Sequence, residues 1–224
     1  EGLHTHLTES ARQAGIVFSV RDVFAHPTVA ALSKIARRET ESDTKILAPA
    51  SGPVALTPIQ SQFLHDAGPL DRFHQAICVE APAGLKQAQV LTFLKQLSAH
   101  HDALRLRIVE EAGEPRLTLD PQEDHQIVLE TLDISSLPPE AGEVSIHEAL
   151  RDLPGRLAPE QGRMVVGIWV ERGTGHRPIL LLAIHHLSID GVSWRILLED
   201  LGHLTAGRSL PPRTHSVRDW SDYL

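Results

Sequence analysis

Ile179-Leu180-Leu181-Leu182-Ala183-Ile184-His185-His186-Leu187-Ser188-Ile189-Asp190-Gly191 is the stretch on which the fold turns. Its first six residues are apolar without alternation, which is how a strand reads when both of its faces are covered. Asp190-Gly191 then marks a turn, and Trp194, Leu197, Leu198, Leu201 and Leu204 follow at helical spacing. A buried strand that gives way to a helix at a histidine pair predicts a layered α/β domain with chemistry at the junction.

The flanking sequence supports that class. Residues 164–170 form a second near-continuous apolar run, and residues 73–81, 116–119 and 127–132 carry shorter strand signals. Leu104, Leu106 and Ile108 alternate with Arg105 and Arg107, so a strand is expected to begin there. Thr57-Pro58 is a helix start, with Ile59, Phe63 and Leu64 on one side. Val90, Phe93, Leu94 and Leu97 predict a helix followed by His100 and His101, and residues 145–153 predict another, ended by Pro154. No internal repeat or low-complexity tract interrupts the strand–helix alternation.

Upstream, residues 39–53 shift to Thr, Ser, Ala, Gly and Pro without apolar periodicity and read as a linker. Residues 1–38 read as three short helices in a separate small all-α segment. The first spans residues 7–15 and is closed by Gly15 in a left-handed conformation; residues 16–20 connect it to the second. Residues 19–26 are capped by Ser19 and stopped by Pro27, and Val29, Leu32 and Ala36 define a third helix ending in Arg37 and Arg38.

Charge and composition narrow the function. Lys plus Arg number 21 against 29 Asp plus Glu, giving −8 over 224 residues, and no basic cluster exceeds Arg37-Arg38. A chain without a basic stripe is a poor partner for nucleic acid or an anionic membrane. No apolar run approaches the roughly 20 residues needed to cross a bilayer. With Cys78 as the single cysteine, an internal disulfide and a multi-thiolate zinc site are both excluded, and a reducing, cytoplasmic setting is expected. The chain starts at Glu1 and its single methionine is Met164, which suggests a piece of something longer.

On a strand His185 and His186 point to opposite sides, so only one can serve as the reactive base. The positive end of the following helix disfavours an extra proton on either ring, and a neutral imidazole is what general-base chemistry requires. Taken alone, His-His-Asp also suits a capped helix with buried, hydrogen-bonded histidines. Trp194 shares its helical stripe with Leu197 and Leu201 and reads as core. Gly191, Ser193 and Arg195 fall short of a nucleophile elbow because Arg195 stands where glycine is needed, and neither a Walker loop nor a dinucleotide fingerprint is present.

The run from His185 through Trp194 resembles the signature of the condensation-domain superfamily of nonribosomal peptide synthetases. Val192-Ser193-Trp194, followed by Arg195-Ile196-Leu197-Leu198, is similar to the epimerization branch, whereas condensation domains tend to place Trp directly after the glycine. His101-Asp102-Ala103-Leu104-Arg105 resembles the family's second motif and Leu56-Thr57-Pro58-Ile59-Gln60 its first. Ser19 to Phe24 and His26 to Leu32 resemble the last helices of a peptidyl carrier protein. The phosphopantetheine serine of such a carrier lies upstream of this stretch, so neither Ser10 nor Ser19 takes its place.

This resemblance implies a chloramphenicol-acetyltransferase-like N-terminal lobe over residues 54–224, preceded by carrier-protein helices over residues 1–38. The implied activity is L-to-D epimerization of a carrier-bound aminoacyl or peptidyl thioester. His186 would be the catalytic acid/base, with His185, Asp190, Gly191 and Arg105 in support. Asp190 would either ion-pair with Arg105 or cap the helix, backbone N–H groups near Gly191 would face a developing oxyanion, and His185 would pack or orient. No intrinsic cofactor is implied; the substrate arrives on the phosphopantetheine arm of a peptidyl carrier protein. The expected partners are that carrier and a C-terminal lobe bearing a catalytic glutamate, whose motif has no match here, so the isolated lobe is expected to be inactive. The rival readings are a condensation domain that forms peptide bonds and a non-catalytic carrier-docking module.

Overall fold

In the computed structural model, residues 7–8, 10–11, 14–38, 50–66, 73–121, 127–213 and 216–223 are described. The chain begins with β1 (Ile16–Val17), α1 (Val20–Ala25), α2 (Val29–Ile35) and β2 (Arg37–Arg38). Ser19 caps α1 as its sequence predicts: its side chain accepts from the Asp22 N–H, and the Asp22 carboxylate accepts in return from the Ser19 N–H. Gly15 takes a φ of 71°. The helix expected over residues 7–15 falls partly outside the described residues. Two expectations change here: the connector supplies β1, and Arg37-Arg38, expected to end a helix, pairs with it antiparallel.

β3 (Gly52–Val54) follows, so a strand takes up the last two residues of the expected linker, whose residues 39–49 lie outside the described ones. Next come α3 (Pro58–Asp66), β4 (His74–Glu80) and α4 (Gln87–His100). Asp102–Arg105 forms a 3-10 turn, so the strand expected from Leu104 starts at Leu106. β5 (Leu106–Glu111) and β6 (Glu114–Leu119) make a hairpin, with β3 against the far edge of β6. β7 (Val128–Asp133) leads to α5 (Pro139–Asp152), which starts six residues before the expected position because Pro139 suits a first turn and Gly142 lets Ile134 approach. β8 (Val165–Glu171), β9 (Ile179–His185), α6 (Gly191–Thr205) and α7 (Val217–Tyr223) complete the chain.

A four-stranded sheet in the order β4-β9-β8-β7 carries the histidine junction. Its two central strands are the two continuous apolar runs, and both faces are covered. Val165, Trp169, Leu180, Leu182 and Ile184 join the cluster made with Leu94 and Leu97 of α4 and Trp194 and Leu197 of α6. Val166, Ile168, Val170, Leu181 and Ala183 face the other way, toward Ile146, Ala149 and Leu150 of α5. Alternation along the same strands therefore feeds two cores, and losing one large apolar side chain from either costs about 2–5 kcal/mol. Among the described residues, no helix is long and apolar enough to cross a membrane.

Candidate active site

β9 ends at His185 because the chain folds back on itself there: the Ser188 N–H donates to the His185 carbonyl at 2.9 Å. The His185 ring is sealed from solvent, and its Nδ1 accepts from the Leu187 N–H at 3.2 Å. Phe63 and Phe73 meet it edge-on, with centroids 6.4 Å and 6.3 Å away. This ring braces the turn.

His186 faces the other way. Its N–H donates to the Phe73 carbonyl at 2.8 Å, extending the β4–β9 ladder one step past the named strand. Its half-buried ring stacks on Phe73 (centroids 4.6 Å apart, planes 14° apart), and Phe73 stacks in turn on Phe63 at 4.3 Å. The β4–β9 register sets Gln75 opposite Ile184, two residues before His186 and on the same face. Gln75 Nε2 lies 3.1 Å from His186 Nε2, and Gln75 Oε1 accepts from Trp194 Nε1 at 2.8 Å. Neither Gln75 nor Phe73 stood out in the sequence. The available signal was their place near the start of the strand paired with β9, which only the register reveals.

Asp190 is the N-cap of α6. Its Oδ1 accepts from the Val192 N–H at 3.1 Å, the Ser193 N–H at 2.7 Å and the Ser193 hydroxyl at 2.6 Å. Burial works to raise the pKa of this carboxyl, but the Ser193 and Val192 hydrogen bonds outweigh it and hold the group below the ordinary carboxylate value. The cap also engages two of the backbone N–H groups expected to face an oxyanion. Gly191 opens the helix, and a Cβ there would meet nothing within 4 Å.

The Asp190–Arg105 ion pair does not form. The fully buried Arg105 guanidinium bonds the carbonyls of Ser98, Ala50 and Asp120 and pairs with the buried Asp102, which Arg213 also contacts. Arg105 is three residues from Asp102 across one 3-10 turn, so its nearest carboxylate is local. It ties the turn, the β6 end and the segment before β3 together.

His101 Nε2 lies 2.7 Å from Asp200 Oδ2 of α6, and His100 joins them in a group whose ligand atoms fall within 4.8 Å of one another. Burial, together with the neighbouring His101, pushes the His100 pKa down. Among the described residues this is the one His/Asp group compact enough to hold a metal ion. Its imidazole–carboxylate contact joins the C-terminal end of α4 directly to the body of α6.

A family model described as Condensation domain matches residues 50–224. Chondramide synthase of Chondromyces crocatus is 33% identical over 233 residues, covering 99% of this chain and 6% of that protein. A linear gramicidin synthase polypeptide of Brevibacillus parabrevis is 31% identical over 229 residues, covering 99% of this chain and 4% of that one. The solved epimerization domain from the third module of tyrocidine synthetase B superposes with a TM-score of 0.70 at 29% identity, covering 78% of this chain and 41% of its own. The condensation domain that mediates chain release from the enacyloxin polyketide synthase shares the fold, with a TM-score of 0.63 at 20% identity over 98% of this chain and 47% of that one. The chain thus spans a small part of the curated relatives and under half of either solved chain.

Proposed function

Because the chain belongs to the condensation-domain family, we propose that it is the N-terminal lobe of an epimerization domain in a nonribosomal peptide synthetase, inverting the α-carbon of a carrier-bound aminoacyl or peptidyl thioester from L to D. The observation that carries the reading is the contrast between the two imidazoles: His185 is sealed and hydrogen-bonded to its own turn, whereas His186 stands half-buried just past the end of β9 with Phe73 stacked on its face. The 29% identity to a solved epimerization domain supports this reading.

In this reading His186 takes the α-proton. The Cα–H bond breaks, an N–H bond forms on the imidazole, and the electron pair moves into the thioester carbonyl as an enolate. A proton returned to the opposite face by a group outside this chain completes the inversion. Thioester sulfur donates weakly into the carbonyl, so the α-proton is more acidic than in an amide. Preorganised donors at the enolate oxygen would lower the barrier by several kcal/mol. Residues 1–38 are assigned to a carrier protein and residues 54–224 to the lobe, with the phosphopantetheine arm delivering the substrate and a second lobe closing the site.

The description of the matching family model favours a second reading, in which the same histidine assists amine attack on a thioester. An α-deuterated L-aminoacyl thioester on its carrier, supplied to the full-length protein, separates the two. Deuterium washout that disappears in His186→Ala is the expected result. Amide formation without washout would replace this reading with condensation.

A further inference from the structure

We propose that Gln75 and Trp194 are positioning residues that hold His186 in the tautomer with its proton on Nδ1 and its lone pair on Nε2. The inference rests on the reading of His186 as the acid/base and adds the device that aims it. An indole N–H can only donate, so the atom of Gln75 2.8 Å from Trp194 Nε1 must be the amide oxygen. The amide nitrogen is then the atom 3.1 Å from His186 Nε2. An amide NH2 has no lone pair to offer, so the ring nitrogen facing it must be the acceptor. The ring proton is left on Nδ1.

Three elements supply the parts. Gln75 comes from β4, His186 follows β9, and Trp194 lies in the first turn of α6 with its ring in the core. A tryptophan three residues after Gly191 thereby has a chemical task besides packing: it fixes which end of the amide meets the imidazole. Nε2 is kept as an acceptor until a substrate Cα–H displaces the amide, and once Nε2 takes the proton that contact can no longer form. Phe73 holds the ring plane during the exchange. Ionisable groups on the described elements around the ring include His74 of β4, paired in register with His185, His185 itself, sealed on the opposite face, and Asp190, whose charge interacts with His186 from the α6 cap.

The test uses 15N-histidine labelling of the full-length protein, with the His186 signals assigned by their loss in His186→Gln. The wild type is expected to show a protonated Nδ1 and a bare Nε2. Trp194→Phe and Gln75→Leu should each convert this to a mixture of tautomers. Gln75→Glu places an acceptor-only carboxylate against Nε2, which then keeps the proton in the charged and in the neutral ring, so the 15N signals should switch to a protonated Nε2 and washout should fall about tenfold or more at every pH; loss of a merely structural residue would produce no preference for Nε2–H. A wild-type Nε2–H signal, or an unchanged tautomer in both Trp194→Phe and Gln75→Leu, overturns the proposal. The tautomer readout needs no turnover: absent washout with the expected signals would count against epimerization and leave this inference standing.

Discussion

Phe73 and His186 lie face to face, ring centroids 4.6 Å apart, because the last ladder hydrogen bond of the sheet joins their backbones. The stack restricts the imidazole about its side-chain torsions while leaving one edge toward Gln75. Phe73→Ala is therefore expected to lower kcat of the proposed exchange more than it raises KM, since the ring would be bound less firmly while the substrate site is unchanged. Equal loss in both constants, or none, would argue against an orienting role for the phenyl ring.

The two histidines should separate cleanly on mutation. His186→Ala is expected to remove about 100-fold or more of the exchange rate with a melting temperature close to the parent's. His185→Ala empties a sealed position and strips an acceptor from the Leu187 N–H, so it should destabilise by about 1–3 kcal/mol in urea titrations. A reversed pattern would move the chemistry to His185.

Asp190 gives a pH signature. With its native pKa held below the ordinary value, its stabilising effect is complete above about pH 4, where the unfolded carboxyl is ionised, and is lost as pH falls through the lower native value. Asp190→Ala should cost about 1–2 kcal/mol at neutral pH through loss of the cap, whereas Asp190→Asn retains most of it. Acid unfolding followed by circular dichroism should be less steep in Asp190→Asn than in the parent.

Arg105 is expected to be more sensitive than any surface cation. Arg105→Met would leave Asp102 buried with Arg213 as its remaining cation and three carbonyls short of a donor, at a cost of about 3–5 kcal/mol. Paired with Asp102→Ala, part of that loss should be recovered in the same denaturation measurement. Strict additivity would mean the two groups act independently.

Gly162 has a left-handed φ of 75°, and a Cβ there would come within 2.3 Å of Asp120 Oδ2. Gly162→Ala should destabilise by about 1–3 kcal/mol, because both the backbone conformation and the carboxylate must move. Gly191→Ala, facing open space, should cost under about 1 kcal/mol, as read by thermal unfolding.

The class of fold and the position of the histidine junction were legible in the chain itself, for a local reason. Unbroken apolar runs at residues 164–170 and 179–184 can be satisfied only by strands covered on both sides, and Asp190 followed by a leucine stripe carries its own cap and helix period. Alternation alone also separated His185 from His186. The partners of those residues were not legible, because partners are set by register and by competition among nearby groups. Gln75 reaches His186 across 111 positions through the pairing of β4 with β9, and Trp194 reaches Gln75 across 119 through the packing of α6 on that sheet. Arg105 had several carboxylates in its own sequence neighbourhood and along the chain; the turn at residues 102–105 gave it to Asp102 and left Asp190 to the helix. Sequence alone determines what each segment must bury and where each helix starts, since those energies are local, whereas the hydrogen-bond partner of a side chain is decided by which distant backbone the folded sheet places within about 3 Å.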